Sequence, residues 1–237
     1  MSIELYNDDC FNLLSQFKNV DLIVTDPPYL YDVDSFKEGN GGTVNNLLKL
    51  DVTLKSLNDK NLIKSYDIER FGSFIFQIQE DVNVYFWCNK AQIPSYLDYY
   101  VIKNKCKFDI LCWHKTNALP TYSNKYLTDT EYLLYFHRGK GRCFPQNYQD
   151  ATTYYMAPIN HSDKKKFYHP TIKPIDITMK IIRNSSKEGQ LILDPFMGSG
   201  TTGVACNRLK RDFIGIEINK KYFDIAKERI NQSKGLF

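Results

Sequence analysis

The chain has 237 residues, of which 43% are hydrophobic, and a formal net charge of +4. It is long enough to bury the core of a single domain, and its charge is too small to identify a nucleic-acid-binding protein by itself. No apolar run reaches the length of a membrane span and no signal peptide is visible, which argues against a membrane or secreted protein. The six cysteines form no CxxC pair and the four histidines complete no zinc pattern, so we expect reduced thiols, no metal and a cytoplasmic location.

The first predicted elements are a strand and a short helix. Residues 3–6 alternate between apolar and polar side chains, as a strand does, and the pattern over about 11–17 favours a helix. Asp9 stands immediately before that helix, where a carboxylate can cap the free amide groups of the first turn. Residues 20–25 then form a mostly apolar run that predicts a buried strand.

This strand ends in four residues, Asp26, Pro27, Pro28 and Tyr29, which we call the tetrad. Ligands bind beyond the carboxyl ends of strands in an open parallel sheet, so the tetrad is placed for chemistry. Asp26 and the Pro27 carbonyl, whose direction Pro28 restrains, can accept both hydrogens of an amino group, while Tyr29 offers a flat face for stacking. These features suit a planar aromatic amine such as a nucleobase. A turn with a capping Asp and a packing Tyr is the alternative.

The region after the tetrad has little periodicity at first. Residues 31–53 contain the run Gly-Asn-Gly-Gly and are either a lid over the site or a surface insertion. Residues 54–80 have a mostly helical pattern, so 31–80 together form a candidate lid and helical insertion. Further strands are predicted at about 82–87, 108–113 and 131–136, with a helix over about 91–104.

A basic stretch follows the third of these strands. Between positions 138 and 173, seven cationic residues oppose two aspartates, which is a larger excess of positive charge than the whole chain carries. Such a stretch is typical of phosphate contact, although Lys164, Lys165 and Lys166 also fit a solvated face. Residues 138–168 are therefore the candidate target-recognition segment, outside the sheet, with polar side chains that can read base edges. The cations are Arg138, Lys140, Arg142, Lys164, Lys165, Lys166 and Lys173, and the polar candidates are Gln146, Asn147 and Gln149.

The last third of the chain predicts a second binding segment. A helix over 174–187 leads to a short buried strand that ends in Asp194, and residues 195–202, which we call the glycine turn, lead into another helix. The following strand, 213–216, ends in Glu217, an acid about 20 residues past the turn that can hold ribose hydroxyls. The turn matches neither GxGxxG nor a phosphate-binding loop, which favours a nucleoside cofactor without phosphates. S-adenosylmethionine fits, with Asp194 facing its amino group, unless the glycines serve packing alone.

Together these motifs make the chain resemble the amino-group DNA methyltransferases of the permuted, beta class. In that family a DPPY segment precedes an FxGxG segment, as the tetrad here precedes Phe196-Met197-Gly198-Ser199-Gly200. Four further segments match in the right order, and the resemblance covers most of the chain. They are residues 84–88 (VYFWC), 113–117 (WHKTN), 131–136 (EYLLYF) and 169–174 (HPTIKP).

The resemblance implies one α/β catalytic domain over residues 1–237, with a largely parallel, Rossmann-like sheet covered by helices on both faces. Its permuted motif order predicts that the first strand lies beside the strand of Glu217 and that the two termini are neighbours. The resemblance also implies a catalytic role for Asp26, Pro27, Pro28 and Tyr29. The cofactor contacts that it implies are Asp9, Cys10, Lys173, Asp194, Pro195, Phe196, Gly198, Ser199, Gly200, Thr201, Glu217 and Ile218.

The activity that the resemblance implies is methyl transfer from S-adenosylmethionine to a flipped base of duplex DNA. The tetrad opens with Asp, which favours the N6 atom of adenine, since relatives acting on cytosine N4 more often open it with Ser. Cytosine-N4 transfer, RNA methylation and a regulator that binds DNA without chemistry remain the alternatives. A homodimer and a cognate restriction enzyme are further partners that the sequence leaves open. Trp87 and Trp113 are expected in the core, while Lys115 and Asn117 either position the base or phosphate or lie at the surface.

Overall fold

A computed structural model describes residues 1–29, 66–120, 126–140, 143–160 and 172–233. Within these ranges eight strands form one mixed sheet. The strands are β1 (Ile3–Tyr6), β2 (Leu22–Thr25), β3 (Val82–Cys88), β4 (Lys107–Lys115), β5 (Thr130–Arg138), β6 (Tyr154–Ala157), β7 (Leu191–Asp194) and β8 (Asp212–Ile216). Their order across the sheet is β1-β8-β7-β2-β3-β5-β4-β6. In β3 all seven residues are buried, as expected for a central strand that is covered on both faces.

Neighbouring strands are parallel except at β5, which is antiparallel to β3 and β4. The prediction of a largely parallel sheet is therefore confirmed. Because β5 runs the other way, its first residues lie level with the ends of β2, β3, β7 and β8. We call this side of the sheet the carboxyl edge.

Helices cover both faces of the sheet, as predicted. On one face α1, α2 and α3 pack on the sheet through Cys10, Phe71 and Tyr96, and on the other face α5, α6 and α7 pack through Ile181, Ala205 and Ile230. The helices are α1 (Cys10–Leu13), α2 (Ile68–Ile78), α3 (Ile93–Tyr96), α4 (Tyr148–Ala151), α5 (Ile175–Ser185), α6 (Thr201–Leu209) and α7 (Lys220–Gln232). A 3₁₀ turn (Leu14–Gln16) continues α1, and a π-helix (Leu97–Lys103) continues α3. No helix in the described ranges is long and apolar enough to cross a membrane.

The first strand lies where the motif order predicted it. β1 is parallel to β8, with Ile3 opposite Phe213, and the Phe213 amide donates to the Ser2 carbonyl at 2.9 Å. Beyond β8, the Glu217 amide donates to the Tyr6 carbonyl at 3.0 Å. The chain start is thus joined to the strand that leads to Glu217. Residues 234–237 lie outside the described ranges, so the proximity of the two termini stays a prediction.

One predicted segment needs a correction. Residues 138–168 were expected outside the sheet, but β6 belongs to it and pairs in parallel with β4, Cys112 lying opposite Tyr154. β6 is an edge strand of four residues, and Tyr154 and Met156 are exposed. β6 has only four residues, with neither β-branched side chains nor a polar–apolar alternation, so its sequence does not mark it as a strand. The candidate lid over 31–53 lies outside the described residues, as does the helical pattern before residue 66.

Candidate functional site

The tetrad and the glycine turn meet at the carboxyl edge. β2 and β7 are adjacent and parallel, with Ile23 opposite Leu193, so Asp26 and Asp194 stand at the ends of neighbouring strands. The Thr25 hydroxyl donates to Asp194 Oδ1 at 2.9 Å and ties the two strand ends together. Two segments that are far apart in the chain therefore converge, as the sequence analysis required.

The tetrad backbone is anchored by a glutamine that sequence reasoning did not single out. Gln92 is fully buried, and its Nε2 atom donates to the Pro28 carbonyl at 3.1 Å. The Gln92 side chain accepts from the Asn89 amide, and the Gln92 amide donates to Asn89 Oδ1, each at 3.2 Å. Nothing in the sequence around Gln92 signals this contact, because it depends on how the turn after β3 meets the tetrad.

The two carboxylate oxygens of Asp26 have different surroundings. Oδ2 lies 3.1 Å from the Lys173 ammonium, whereas Oδ1 is buried and has no hydrogen-bond partner among the described residues. A buried acceptor without a partner is costly unless a ligand supplies the donor. Burial raises the pKa of the Asp26 carboxyl, and the Lys173 ammonium opposes that rise.

Lys173 lies against the tetrad, and its contact with the cofactor stays a prediction. Its side chain is only 7% exposed, and its ammonium donates to the Tyr29 hydroxyl at 2.7 Å and to Glu131 Oε2 at 2.6 Å. Burial alone would lower the pKa of Lys173, but the Asp26 and Glu131 carboxylates raise it above its ordinary value. The motif that contains Lys173 precedes α5, and α5 leads toward the cofactor strand, so the sequence alone suggested the cofactor side.

Glu131, at the start of β5, bridges two lysines. Its Oε1 atom lies 2.6 Å from the ammonium of Lys115, and its Oε2 atom contacts Lys173. Burial would raise the pKa of Glu131, but the two ammonium groups lower it to about 2. Lys115 is therefore a partly buried partner of this network. The sequence does carry a signal for Glu131: it is an acid directly before the apolar run of a predicted strand, residues 132–136.

Two carboxylates fix the backbone of the glycine turn by accepting hydrogen bonds from its amides. Asp194 Oδ1 accepts from the Phe196 amide at 3.2 Å, and Glu217 Oε2 accepts from the Gly198 amide at 3.0 Å. Gly200 has a φ of +79°, and a β-carbon there would lie 2.9 Å from the β-carbon of Ala226. Burial raises the pKa of the Asp194 carboxyl to about 7. Burial likewise raises the pKa of the Glu217 carboxyl, although two backbone amides oppose it.

The Asp9 turn lies beside Glu217 through the pairing of β1 with β8. Asp9 caps α1 by accepting from the Phe11 amide at 3.0 Å, and Cys10 behind it is buried. Asn7 donates to the Glu217 carbonyl at 2.8 Å and joins this turn to the cofactor side. Among the other predicted cofactor residues, Pro195, Ser199 and Thr201 are buried whereas Ile218 is exposed.

Two of the predicted DNA-contacting cations, Arg138 and Lys140, lie within the described residues and away from the carboxyl edge. Arg138 lies opposite Val82, six residues along the sheet from Cys88, which is about 20 Å from that edge. Its guanidinium donates to the Asn104 carbonyl and lies over the Phe76 ring, and Lys140 is in the same region. β5 thus carries Arg138 and Lys140 away from the carboxyl edge, and their contact with DNA stays a prediction. The others, Arg142, Lys164, Lys165 and Lys166, lie outside the described residues.

The other predicted site residues that the structure describes pack in the core or make hydrogen bonds within the fold. Trp87 and Trp113 are buried, as predicted, with ring centroids 6.5 Å apart. Asn117 accepts from the Ile159 amide at 2.6 Å and so connects the end of β4 to the segment after β6. Asn147, one of the polar residues proposed to read base edges, caps α4 by accepting from the Asp150 amide.

This sheet, with an acidic tetrad and a glycine turn at the ends of adjacent parallel strands, defines an S-adenosylmethionine-dependent methyltransferase. The profile of the N6/N4 methyltransferase family, described as DNA methylase, matches residues 20–228. The chain therefore belongs to this family of DNA amino-methyltransferases, and its cofactor is S-adenosylmethionine.

Known relatives agree with this assignment. The type II methyltransferase M2.LlaDCHI of Lactococcus lactis subsp. cremoris is 32% identical over 96% of this chain and 89% of its own length. The crystal structure of the M1.HpyAVI–SAM complex has a TM-score of 0.69 and 29% identity, covering 97% of this chain and 99% of that one. The cytosine-N4-specific PvuII DNA methyltransferase also has a TM-score of 0.69, over 97% of this chain and 86% of its own, but at 16% identity it shows the shared fold alone.

Proposed function

We propose that this protein transfers a methyl group from S-adenosylmethionine to the exocyclic N6 atom of adenine at specific sites in duplex DNA. The observation that carries the proposal is the buried Oδ1 atom of Asp26, which has no hydrogen-bond partner among the described residues and belongs to the strand end beside Asp194. An acceptor of this kind suits the N–H group of an incoming amine. The order of tetrad before glycine turn supports membership of the permuted, beta class.

The chemistry follows from the tetrad. The exocyclic nitrogen of adenine is a weak nucleophile because its lone pair is delocalised into the ring. In the proposed complex, Asp26 Oδ1 and the Pro27 carbonyl accept its two N–H groups, favour a pyramidal nitrogen and free the lone pair. S-adenosylmethionine supplies an electrophilic methyl group on a positively charged sulfur. The Asp26 carboxylate then stabilises the positive charge that develops on the nitrogen, and the proton leaves after transfer.

Base flipping is part of this proposal, since the target nitrogen is hidden in a duplex. Tyr29 is the stacking surface for the flipped base. Within the insertion 31–80, residues 31–53 are proposed as the lid, because α2 packs on the sheet through Phe71. Residues 138–168 are proposed as the source of sequence specificity, and β6 joins this segment to the sheet. A homodimer and a cognate restriction enzyme complete the proposal, the latter because the relatives are type II methyltransferases.

The glycine turn fits the cofactor. Its glycines permit a close approach of backbone to a ligand, and the acids Asp194 and Glu217 flank it through hydrogen bonds to the Phe196 and Gly198 amides. In the proposed complex, Asp194 faces the amino group of the cofactor and Glu217 faces its ribose, while Asp9 faces the adenine. This arrangement leads to a testable pH dependence.

We expect cofactor affinity to increase as the pH rises through about 7. Burial raises the pKa of Asp194 to about 7, so the carboxyl is neutral below that pH and attracts the cationic cofactor poorly. Calorimetric titrations should show affinity falling by up to about tenfold per pH unit below the transition and levelling off above it. Asp194→Asn should bind more weakly and lose this dependence. Wild-type affinity that stays constant between about pH 6 and pH 8 would contradict the role of Asp194.

The identity of the methylated base distinguishes adenine-N6 transfer from the alternative activities. Duplex DNA methylated by the purified protein is digested to nucleosides and separated by mass spectrometry, and N6-methyladenine is the expected product. N4-methylcytosine would replace the adenine assignment by cytosine-N4 transfer on the same site. Cofactor binding without methylation of any duplex would favour a regulator that binds DNA without chemistry, and competition by RNA would indicate an RNA substrate.

A further inference from the structure

We infer that Lys173 and Glu131 form a positioning pair that orients the catalytic aspartate and the stacking tyrosine of the tetrad. The inference deepens the proposed function and rests on it for its catalytic consequence. Lys173 precedes α5, Glu131 begins β5 and Asp26 follows β2, so three distant segments meet at one ammonium group. Neither residue needs to touch the substrate to act in this way.

The geometry uses every donor of the lysine. An ammonium group has three N–H donors, and Lys173 has three acceptors, which are Asp26 Oδ2 at 3.1 Å, Tyr29 Oη at 2.7 Å and Glu131 Oε2 at 2.6 Å. A fully satisfied, buried ammonium cannot rotate without losing a hydrogen bond. The carboxylate of Asp26 is therefore fixed by Oδ2, which leaves Oδ1 as the oxygen available to a target amino group.

The same contact orients the stacking surface. Because the Tyr29 hydroxyl accepts from Lys173, its own hydrogen is available to the neighbouring carboxylates, which are Glu131, with Oε2 3.5 Å away, and Asp26. The Lys173 ammonium also lies 5.0 Å from the ring centroid of Tyr29 and 4.9 Å from that of Trp87. The tyrosine ring and the carboxylate thus share one support, so loss of that support disturbs both at once.

Charge alternation explains why the pair contains two residues. Burial favours the neutral form of Asp26, and the positive charge of Lys173 counters this effect. A buried ammonium without an anionic partner would itself be costly. Glu131 Oε2 neutralises the charge of Lys173, and Lys115 pairs with Glu131 Oε1. Lys173 thus favours the ionised form of Asp26, and Glu131 holds Lys173 in place. The other titratable groups that influence Asp26 or respond to it are Tyr29, Cys88, Tyr96 and Asp194.

Two substitutions test the pair by single-turnover methylation measured against pH. Lys173→Met and Glu131→Gln should each lower the plateau rate by roughly 10- to 100-fold, because the reacting groups lose their alignment. The acid limb of the profile should move in opposite directions. Without Lys173 the pKa of Asp26 rises, whereas without the Glu131 charge it falls. An ion pair remote from Asp26 would leave the acid limb unchanged, and a pair that does not align the reacting groups would leave the plateau rate unchanged.

The matched control is Glu69→Gln, which makes the same chemical change in an exposed pair. Glu69 Oε1 lies 2.6 Å from the Lys103 ammonium, the same separation as in the Glu131 pair, and the proposed role assigns it nothing. Its rate and pH profile should equal those of the wild type. Cofactor affinity measured by calorimetry should be unchanged in all three variants, which shows that each is folded and separates lost alignment from lost binding.

A measurement without turnover distinguishes failure of the inference from failure of the proposed function. Carbon-13 NMR follows the titration of aspartate carboxyls, and Asp26→Asn assigns the Asp26 signal. Lys173→Met should raise the pKa of Asp26 and Glu131→Gln should lower it, even if the duplex used is not a substrate. An Asp26 titration that is unchanged in both variants overturns the inference, as do unchanged methylation rates in an active enzyme. An inactive wild type with the expected titrations overturns only the proposed function.

Discussion

Replacement of Asp26 by alanine is expected to lower the rate of methyl transfer by about 10³-fold, because the group that stabilises charge on the attacking nitrogen is removed. Asp26→Asn should lose nearly as much, since an amide keeps the shape of the side chain but not its charge. The loss should fall on the single-turnover rate and not on cofactor affinity. The measurement is transfer of a labelled methyl group to duplex DNA with enzyme in excess.

Stability should change little in the same variants. Asp26→Ala removes a carboxylate that burial holds at a raised pKa, and Lys173 keeps Glu131 as its remaining anionic partner. We therefore expect the free energy of unfolding to change by no more than about 1 kcal/mol. Tyr29 is still present, so base flipping monitored by 2-aminopurine fluorescence should persist. An Asp26→Ala protein that keeps a tenth or more of the wild-type rate would contradict the catalytic role of this carboxylate.

Local patterns were sufficient to predict the central part of the fold. The strands that end at Thr25 and Asp194 are short, buried runs followed at once by rigid or glycine-rich turns, and such punctuation is detectable without tertiary information. The motif order then predicted that β1 lies beside β8, which the pairing of Ile3 with Phe213 confirms. The positions of Asp26 and Asp194 could be predicted because each acid lies at the end of its own strand.

Other features depend on long-range contacts that a single sequence does not encode. Lys173 and Glu131 are separated by 42 residues in the sequence. Their buried ion pair becomes visible only when β5 meets the segment before α5 in the fold. Arg138 belongs to a basic stretch by sequence, but the antiparallel direction of β5 places it at the opposite edge. β6 was missed because a strand of four residues without β-branched side chains or polar–apolar alternation carries no clear sequence signal.

Gly200 belongs to the glycine turn and also packs against Ala226 of α7, so one substitution there tests both cofactor affinity and stability. Gly200→Ala should lower the free energy of unfolding by about 3 kcal/mol, because backbone strain and overpacking add at this position. Gly200 has a φ of +79°, and a β-carbon there would lie 2.9 Å from the β-carbon and 3.0 Å from the α-carbon of Ala226 in α7. Since the Ala226 α-carbon is backbone, α7 must move away from the start of α6.

Gly189→Ala is the matched control, because Gly189 has a φ of +78° but a β-carbon there would meet nothing within 4 Å. It carries the same backbone strain without the clash, and should cost about 1 kcal/mol. Urea denaturation gives both values, and their difference isolates the contact between α6 and α7. Cofactor affinity should fall about tenfold or more in Gly200→Ala, since the glycine turn moves with α6, and should stay at the wild-type level in Gly189→Ala. Equal losses in the two variants would mean that strain alone, and not the approach of α7 to the glycine turn, requires a glycine at position 200.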